Sequence, residues 1–201
     1  PQFGVHGQDL DVTLDVANLS QLNVAADMVG ELKGAGVDQV QIDLRHGPTE
    51  SYEHALDRLL ANNGATLKAD VEAIRQTDVL SGVEQGLHID TIDVGGSAVD
   101  ASVSINESQA GALINAGLHF AAADTITLDA GSGVGTHLHT SLKELSKLGV
   151  DAVTMSGGNV LSVDFGGFSV EDLSAPGGVN LPHFGVHGQD LDVTLDVANL
   201  S

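Results

Sequence analysis

Apolar and polar residues alternate with a period of two along several short stretches of this chain. Leu10, Val12, Leu14 and Val16 point one way, with Asp9, Asp11, Thr13 and Asp15 between them. Val40, Ile42 and Leu44 alternate with Gln39, Gln41 and Asp43, and Ile92 and Val94 with Thr91 and Asp93. Val99, Ala101, Val103 and Ile105 alternate with Asp100, Ser102 and Ser104, and Ile126 and Leu128 with Thr125, Thr127 and Asp129. Leu161, Val163 and Phe165 close the series around Ser162 and Asp164. Such alternation predicts strands with one buried and one wet face, because successive side chains in a strand leave opposite sides. A sheet covered on both faces would read as unbroken apolar runs instead.

Between these strands the period changes to that of a helix. Leu22, Ala26, Val29 and Leu32 form one stripe, and Leu142, Leu145 and Leu148 form another that stops at Gly149. Asn106 with Gln109 has the spacing of a capping box ahead of Leu113 and Ile114. Thr49 after Pro48 predicts the start of a helix bearing Tyr52, Leu56, Leu59 and Leu60, ended by the Asn62–Gly64 triplet, with a further helix from Leu67 to about Gln76. Helices joining such strands require right-handed crossovers and mostly parallel pairing, with the helices on the apolar face. The short links VGGSA and SGGN leave room for some antiparallel pairs. The fold class expected is α/β: a repeat, solenoid-like module with a mostly parallel one-sided sheet, its apolar face covered by helices.

Two recurrences organise the chain. GVDQVQIDL (36–44), GLHIDTIDV (86–94) and GVDAVTMSG (149–157) share one plan, a glycine closing a helix and then an apolar residue and a short strand; GLHFAAADTITLDA (117–130) is a looser version. At larger scale, GVHGQDLDVTLDVANLS runs from Gly4 to Ser20 and again from Gly185 to Ser201, each residue recurring 181 positions later. A fixed long period marks a tandem array. Residues 1–181 are therefore expected to be one module and 182–201 the first strand of the next copy, with the ends of the chain cuts in a longer array. The strand of the next copy would complete the sheet, and Leu10, Val12, Leu14 and Val16 with Leu191, Val193, Leu195 and Val197 would form the inter-repeat junction.

A hydrophobic content of 42% fills a core, and the formal charge of −21 argues against nucleic acid and anionic membrane surfaces as partners. Cations are the natural counterpart. Asp15, Asp43, Asp93, Asp129 and Asp164 occupy similar late positions on the wet faces, and neighbouring carboxylates at a strand spacing of about 4.8 Å repel unless cations bridge them. These five aspartates are the candidate metal ligands, with Ca2+ the expected ion. No cysteine is present to form disulfides, and no apolar run has membrane-spanning length.

Motifs for chemistry are sparse. DAGSGVGTH (129–137) has Gly131 and Gly133 of a dinucleotide fingerprint, but Thr136 stands where the third glycine belongs, which favours a strand-to-helix turn. His137 and His139 lack a third ligand, and the HG pairs at His6, His46 and His187 read as turns. No serine sits in a nucleophile elbow. GGSAVDASV (95–103) approximates the calcium-binding RTX nonapeptide, with Ala98 and Ser102 departing from it. No catalytic residues are expected and the chain is not read as an enzyme.

SINESQAGALINAGLHFAAADTITLDAG, followed by LKELSKLGVDAV, resembles repeat units of giant secreted surface proteins of proteobacteria, grouped with RTX adhesins exported by type I secretion. The resemblance covers about Val103 to Met155. It implies an extracellular or cell-surface, multi-copy structural protein, a fibre or biofilm-matrix filament whose partners are neighbouring copies, with Ca2+ stiffening the array. The alternative is an adhesin module binding a glycan or protein through its polar face; an aromatic content of 3% without tryptophan disfavours sugar stacking.

Overall fold

The computed structural model describes residues 12–44, 50–76, 86–96, 100–132, 136–155, 160–164, 182–186 and 192–196. The chain is an α/β protein in which every strand pair found is parallel. In chain order the elements are β1 (Thr13–Val16), α1 (Leu19–Asp27), α2 (Val29–Ala35), β2 (Gln39–Leu44), α3 (Tyr52–Leu59), α4 (Ala65–Arg75), β3 (Thr91–Val94) and β4 (Ser102–Asn106). They continue with α5 (Glu107–Ala116), β5 (His119–Phe120), β6 (Thr125–Asp129), β7 (Thr136–Leu138), α6 (Leu142–Leu148), β8 (Ala152–Met155), β9 (Val160–Asp164), β10 (His183–Val186) and β11 (Asp192–Asp196).

The single sheet expected from the pattern is instead three. Their orders are β1-β2-β3-β5, β4-β6-β8-β10 and β7-β9-β11, so strands join each sheet in chain order. The chain visits the sheets in turn: β3 leads to β4, and β5 leads to β6 and β7. The strands on either side of the VGGSA and SGGN links, β3 and β4 and then β8 and β9, lie in different sheets and are not antiparallel partners; residues 97–99 and 156–159 lie outside the described residues. Gly95 and Gly96 have φ of +91° and +80°, a left-handed pair that glycine adopts without a Cβ penalty.

The helices read much as their caps predicted. Asn106 and Gln109 form the reciprocal capping box of α5, and Ser141 and Glu144 form a second at α6. Ser51, not Thr49, caps α3 by accepting from the His54 amide, and Thr49 lies outside the described residues. Asn62 and Asn63 both have left-handed backbones, so the chain turns through a 3-10 segment at Ala61–Gly64 and restarts as α4. The first predicted helix is two, broken at Met28; of the predicted stripe Leu22 and Val29 are buried and Ala26 and Leu32 are partly buried against the core, with Ala25 buried beside them.

Packing follows the same serial order. α1 contacts α4, α4 contacts α5, and α5 contacts α6, forming a helical layer against the apolar sides of the strands. Val40, Ile42, Leu44, Ile92, Val94, Ile126 and Leu128 are buried beneath Leu22, Leu56, Leu67, Ile74, Leu113 and Leu145. Each fully buried leucine or isoleucine contributes about 1.5–3 kcal/mol, so this shared core is the main stabilising term. The wet face is incomplete: Asp43 and Asp93 are buried, only 2% and 7% exposed, whereas Thr13, Asp15, Ser102 and Ser104 remain exposed.

Candidate functional site

The five aspartates do not form one ladder. Asp15, Asp43 and Asp93 belong to the first sheet, Asp129 to the second and Asp164 to the third. Asp15 stands opposite Gln41, and Asp129 between Asn106 and Thr154. Asp164 stands opposite Asp196, and their side chains lie outside the described residues. Only Asp43 and Asp93 are register neighbours with described side chains. Asp93 accepts from Gln41 Nε2 at 3.0 Å, and the Asp43 carboxylate packs against Gly96, where a Cβ would lie 3.1 Å from Oδ1. Among the described residues no three acidic or histidine side chains converge on a common point. Calcium takes six to eight oxygen ligands, and the described residues do not assemble that set.

A different set of aspartates has a repeated role. Asp38, Asp124 and Asp151 each immediately precede a strand. Each accepts a hydrogen bond from the amide of the residue facing it one strand earlier: Val12 at 3.0 Å, Ala101 at 3.4 Å and Ile126 at 2.7 Å. Asp124 also accepts from the Val94 amide at 2.8 Å. These carboxylates satisfy amides near the entry of the preceding strand, and at Asp124 the Val94 and Ala101 amides would otherwise be buried without a partner. Burial pushes the Asp124 carboxyl above the ordinary range against its two amide bonds, and the charges of Asp93 and Asp100 push it further. Asp90 shows the reverse: burial raises it, but the Thr91 hydroxyl and the His88 and His119 charges outweigh that and hold it low.

Carboxylates and one guanidinium also finish exposed backbone. Glu53 of α3 accepts from the Ser104 amide along β4, and Glu107 of α5 accepts from the His139 and Thr140 amides just beyond β7. Arg75, ending α4, donates to Ile89 O, to Ala116 O at 3.0 Å and to Gly117 O at 2.8 Å, gathering the last carbonyls of α5. Gly117 takes φ of +69° under that guanidinium; a Cβ there would lie 2.8 Å from Arg75 Nη1.

β1 differs from these edges. Among the described residues its one strand neighbour is β2. Beside it lies a groove whose apolar lining is Leu14, Val16, Val24, Ala25, Met28 and Leu32, with Asp15, Ser20 and Gln21 completing it. Val24 and Met28 are the large apolar side chains left exposed among the described residues, at 52% and 38%. Of the predicted junction residues, Val12 and Leu14 are half-buried and Val16 is buried. Val193 and Leu195 are placed by backbone register in β11, opposite Leu161 and Val163, while Leu10, Leu191 and Val197 lie outside the described residues.

The remaining motifs resolve into turns where they are described. Asp129 Oδ1 accepts from the Gly131 amide at 2.8 Å, closing a turn on a glycine of φ +86°, and β7 follows before α6 begins. The DAG sequence is thus a local aspartate turn, not a direct strand-to-helix phosphate loop. His6, His46 and His187 lie outside the described residues, as does the His137 side chain. Among the described residues nothing indicates enzymatic function, and no helix is long and apolar enough to cross a membrane. Comparison with protein-family models, with curated proteins and with solved structures found no match to this chain.

Proposed function

We propose that the chain is a solenoid-like structural module of a long extracellular or cell-surface filament, its copies joined end to end. One observation carries this reading: the same sequence stands at both ends, as β1 against β2 and, 181 residues later, as β11 against β9. Within each sheet every strand pairs with the strands added before and after it, and within the helical layer α1, α4, α5 and α6 touch in that order, which supports a stacked arrangement. Such a stack lengthens without changing its cross-section. The chemistry agrees, since the ordered polar groups complete backbone edges rather than converge on a reacting atom. The acidic surface supplies solubility and mutual repulsion between neighbouring filaments. Calcium enters this proposal as a counter-ion of that surface, with any specific site requiring ligands beyond those described.

Small-angle scattering from polypeptides carrying one, two and three tandem 181-residue units tests the architecture. The maximum dimension should grow by a constant increment while the cross-sectional radius stays fixed. Growth typical of independent beads on flexible linkers would contradict it. Labelling intact source cells with an antibody to the folded module tests the location; signal only after permeabilisation would refute an extracellular filament.

A further inference from the structure

We infer that one strand serves two sheets: β11 of one unit is β1 of the next, so the third sheet of each copy continues without a break into the first sheet of its successor. This rests on the filament reading and specifies its junction. The occupant of the β1 edge that has no strand neighbour among the described residues is then the strand Val160–Asp164 of a preceding copy.

Three independent features support it. The first is identity: Thr13, Leu14 and Asp15 recur as Thr194, Leu195 and Asp196, so β9 already holds the sequence that β1 presents. The second is register. Thr194 stands opposite Ser162 and Thr13 opposite Gln39; Leu195 stands opposite Val163 and Leu14 opposite Val40; Asp196 stands opposite Asp164 and Asp15 opposite Gln41. Superimposing the two copies gives continuous columns, polar through Ser162, threonine and Gln39, and apolar through Val163, leucine and Val40. A slip of one residue would have set apolar against polar, so the two pairings are in phase. Both are parallel, and right-handed crossovers add successive strands toward one side. β9 therefore takes the backward edge of the shared strand and β2 its forward edge.

The third feature is the surface. The β4 and β5 edges carry neighbours from the helices: Glu53 bonds to β4, and Gly149 at the end of α6 lies against the Phe120 backbone. The β1 end instead offers the Leu14–Met28 groove, with Val24 and Met28 exposed. A strand with one edge unpaired among the described residues and bordered by exposed apolar side chains is a docking edge, and the end of the preceding unit that bears β9 is the surface placed to cover it.

The test uses a polypeptide with the unit written twice and closed by residues 182–201. Because the chain has no cysteine, spin labels can be placed uniquely through Ser162→Cys in the first unit and Gln39→Cys in the second. With one strand between them the two positions are about 10 Å apart on one face, and strong dipolar broadening is expected. The unlabelled protein gives a second readout through Met28, since the only other methionine, Met155, is buried. Half of the Met28 residues should oxidise in peroxide as fast as in the 201-residue chain, and the half at the junction several-fold more slowly. Absence of both broadening and protection in a folded polypeptide overturns the shared strand. If scattering still shows a rigid rod, the filament reading survives that failure; scattering as flexible beads would remove both.

Discussion

The first layer of the molecule and its middle are built from the same strand-and-helix grammar but finished differently. In the middle, the β3–β6 region has its amides and carbonyls collected by Asp124, Glu53 and Arg75, and its apolar side chains are buried under α4 and α5. At the first layer, β1 is a half-covered strand with a groove beside it and Val24 and Met28 in solvent. A domain that ended there would be expected to blunt that edge with charge, proline or a bulge. The contrast teaches that the middle satisfies its own backbone and buries its own apolar side chains, whereas the β1 end keeps Val24 and Met28 exposed, which is the surface that the proposed end-to-end stacking would cover.

The comparison breaks most sharply at the seam. Val193→Asp together with Leu195→Asp in a two-unit polypeptide should cost about 4 kcal/mol by placing charges in an apolar column. The loss should appear as separate melting of the two units, and unchanged calorimetric melting would contradict the assignment of a seam. Next in size is Asp124→Ala, which leaves the Val94 and Ala101 amides without acceptors and should cost about 2–3 kcal/mol in urea unfolding. A loss within error would mean that water replaces the carboxylate.

Arg75→Ala should cost about 1–2 kcal/mol, discounted because the side chain is partly solvated, and should speed hydrogen exchange at the end of α5 while leaving α1 unchanged. Uniform loss of protection would show that the guanidinium does not act locally.

Acid titration separates Asp124 from Asp90. The raised Asp124 carboxyl means the folded state binds its proton more tightly than the unfolded state, whose aspartates titrate near 3.8. That contribution is full below 3.8 and is lost as pH rises through the raised folded value. Asp90, held low, contributes above the same reference and loses its contribution as pH falls through its folded value. The stability difference between wild type and Asp124→Asn should therefore move toward the wild type on acidification, and that for Asp90→Asn away from it. Parallel pH profiles would overturn the burial argument. The smallest effect concerns cations: millimolar Ca2+ and Mg2+ should raise the melting temperature alike, by screening. A rise confined to Ca2+, abolished by EGTA, would establish a specific site instead.

Much of the fold could be read from local pattern because local chemistry determines it. Alternation at Val40–Leu44 and Ile126–Leu128 gave strands with the expected apolar faces, and Asn106 with Gln109 gave the start of α5. The division into three sheets could not be read, since which strands pair depends on crossovers and not on the residues within a strand. That also undid the aspartate ladder: Asp15, Asp129 and Asp164 occupy equivalent positions in their strands but belong to different sheets. The useful signal lay one step earlier in the same aligned segments, in the aspartate before the strand. Asp38, Asp124 and Asp151 recur there, and their role becomes visible only once the facing amides of Val12, Ala101 and Ile126 are located. The Leu22–Leu32 stripe marked the core-facing side but not the break at Met28, the side chain that remains exposed beside β1.

The most direct test of the account is the melting temperature of polypeptides with one, two and three tandem units, each closed by residues 182–201. If every junction completes a sheet and covers a groove, the melting temperature rises with unit number, by steps that diminish as the free ends become a smaller share of the whole. A melting temperature independent of unit number would show that the units fold without reference to one another, and the end-to-end stack would have to be abandoned.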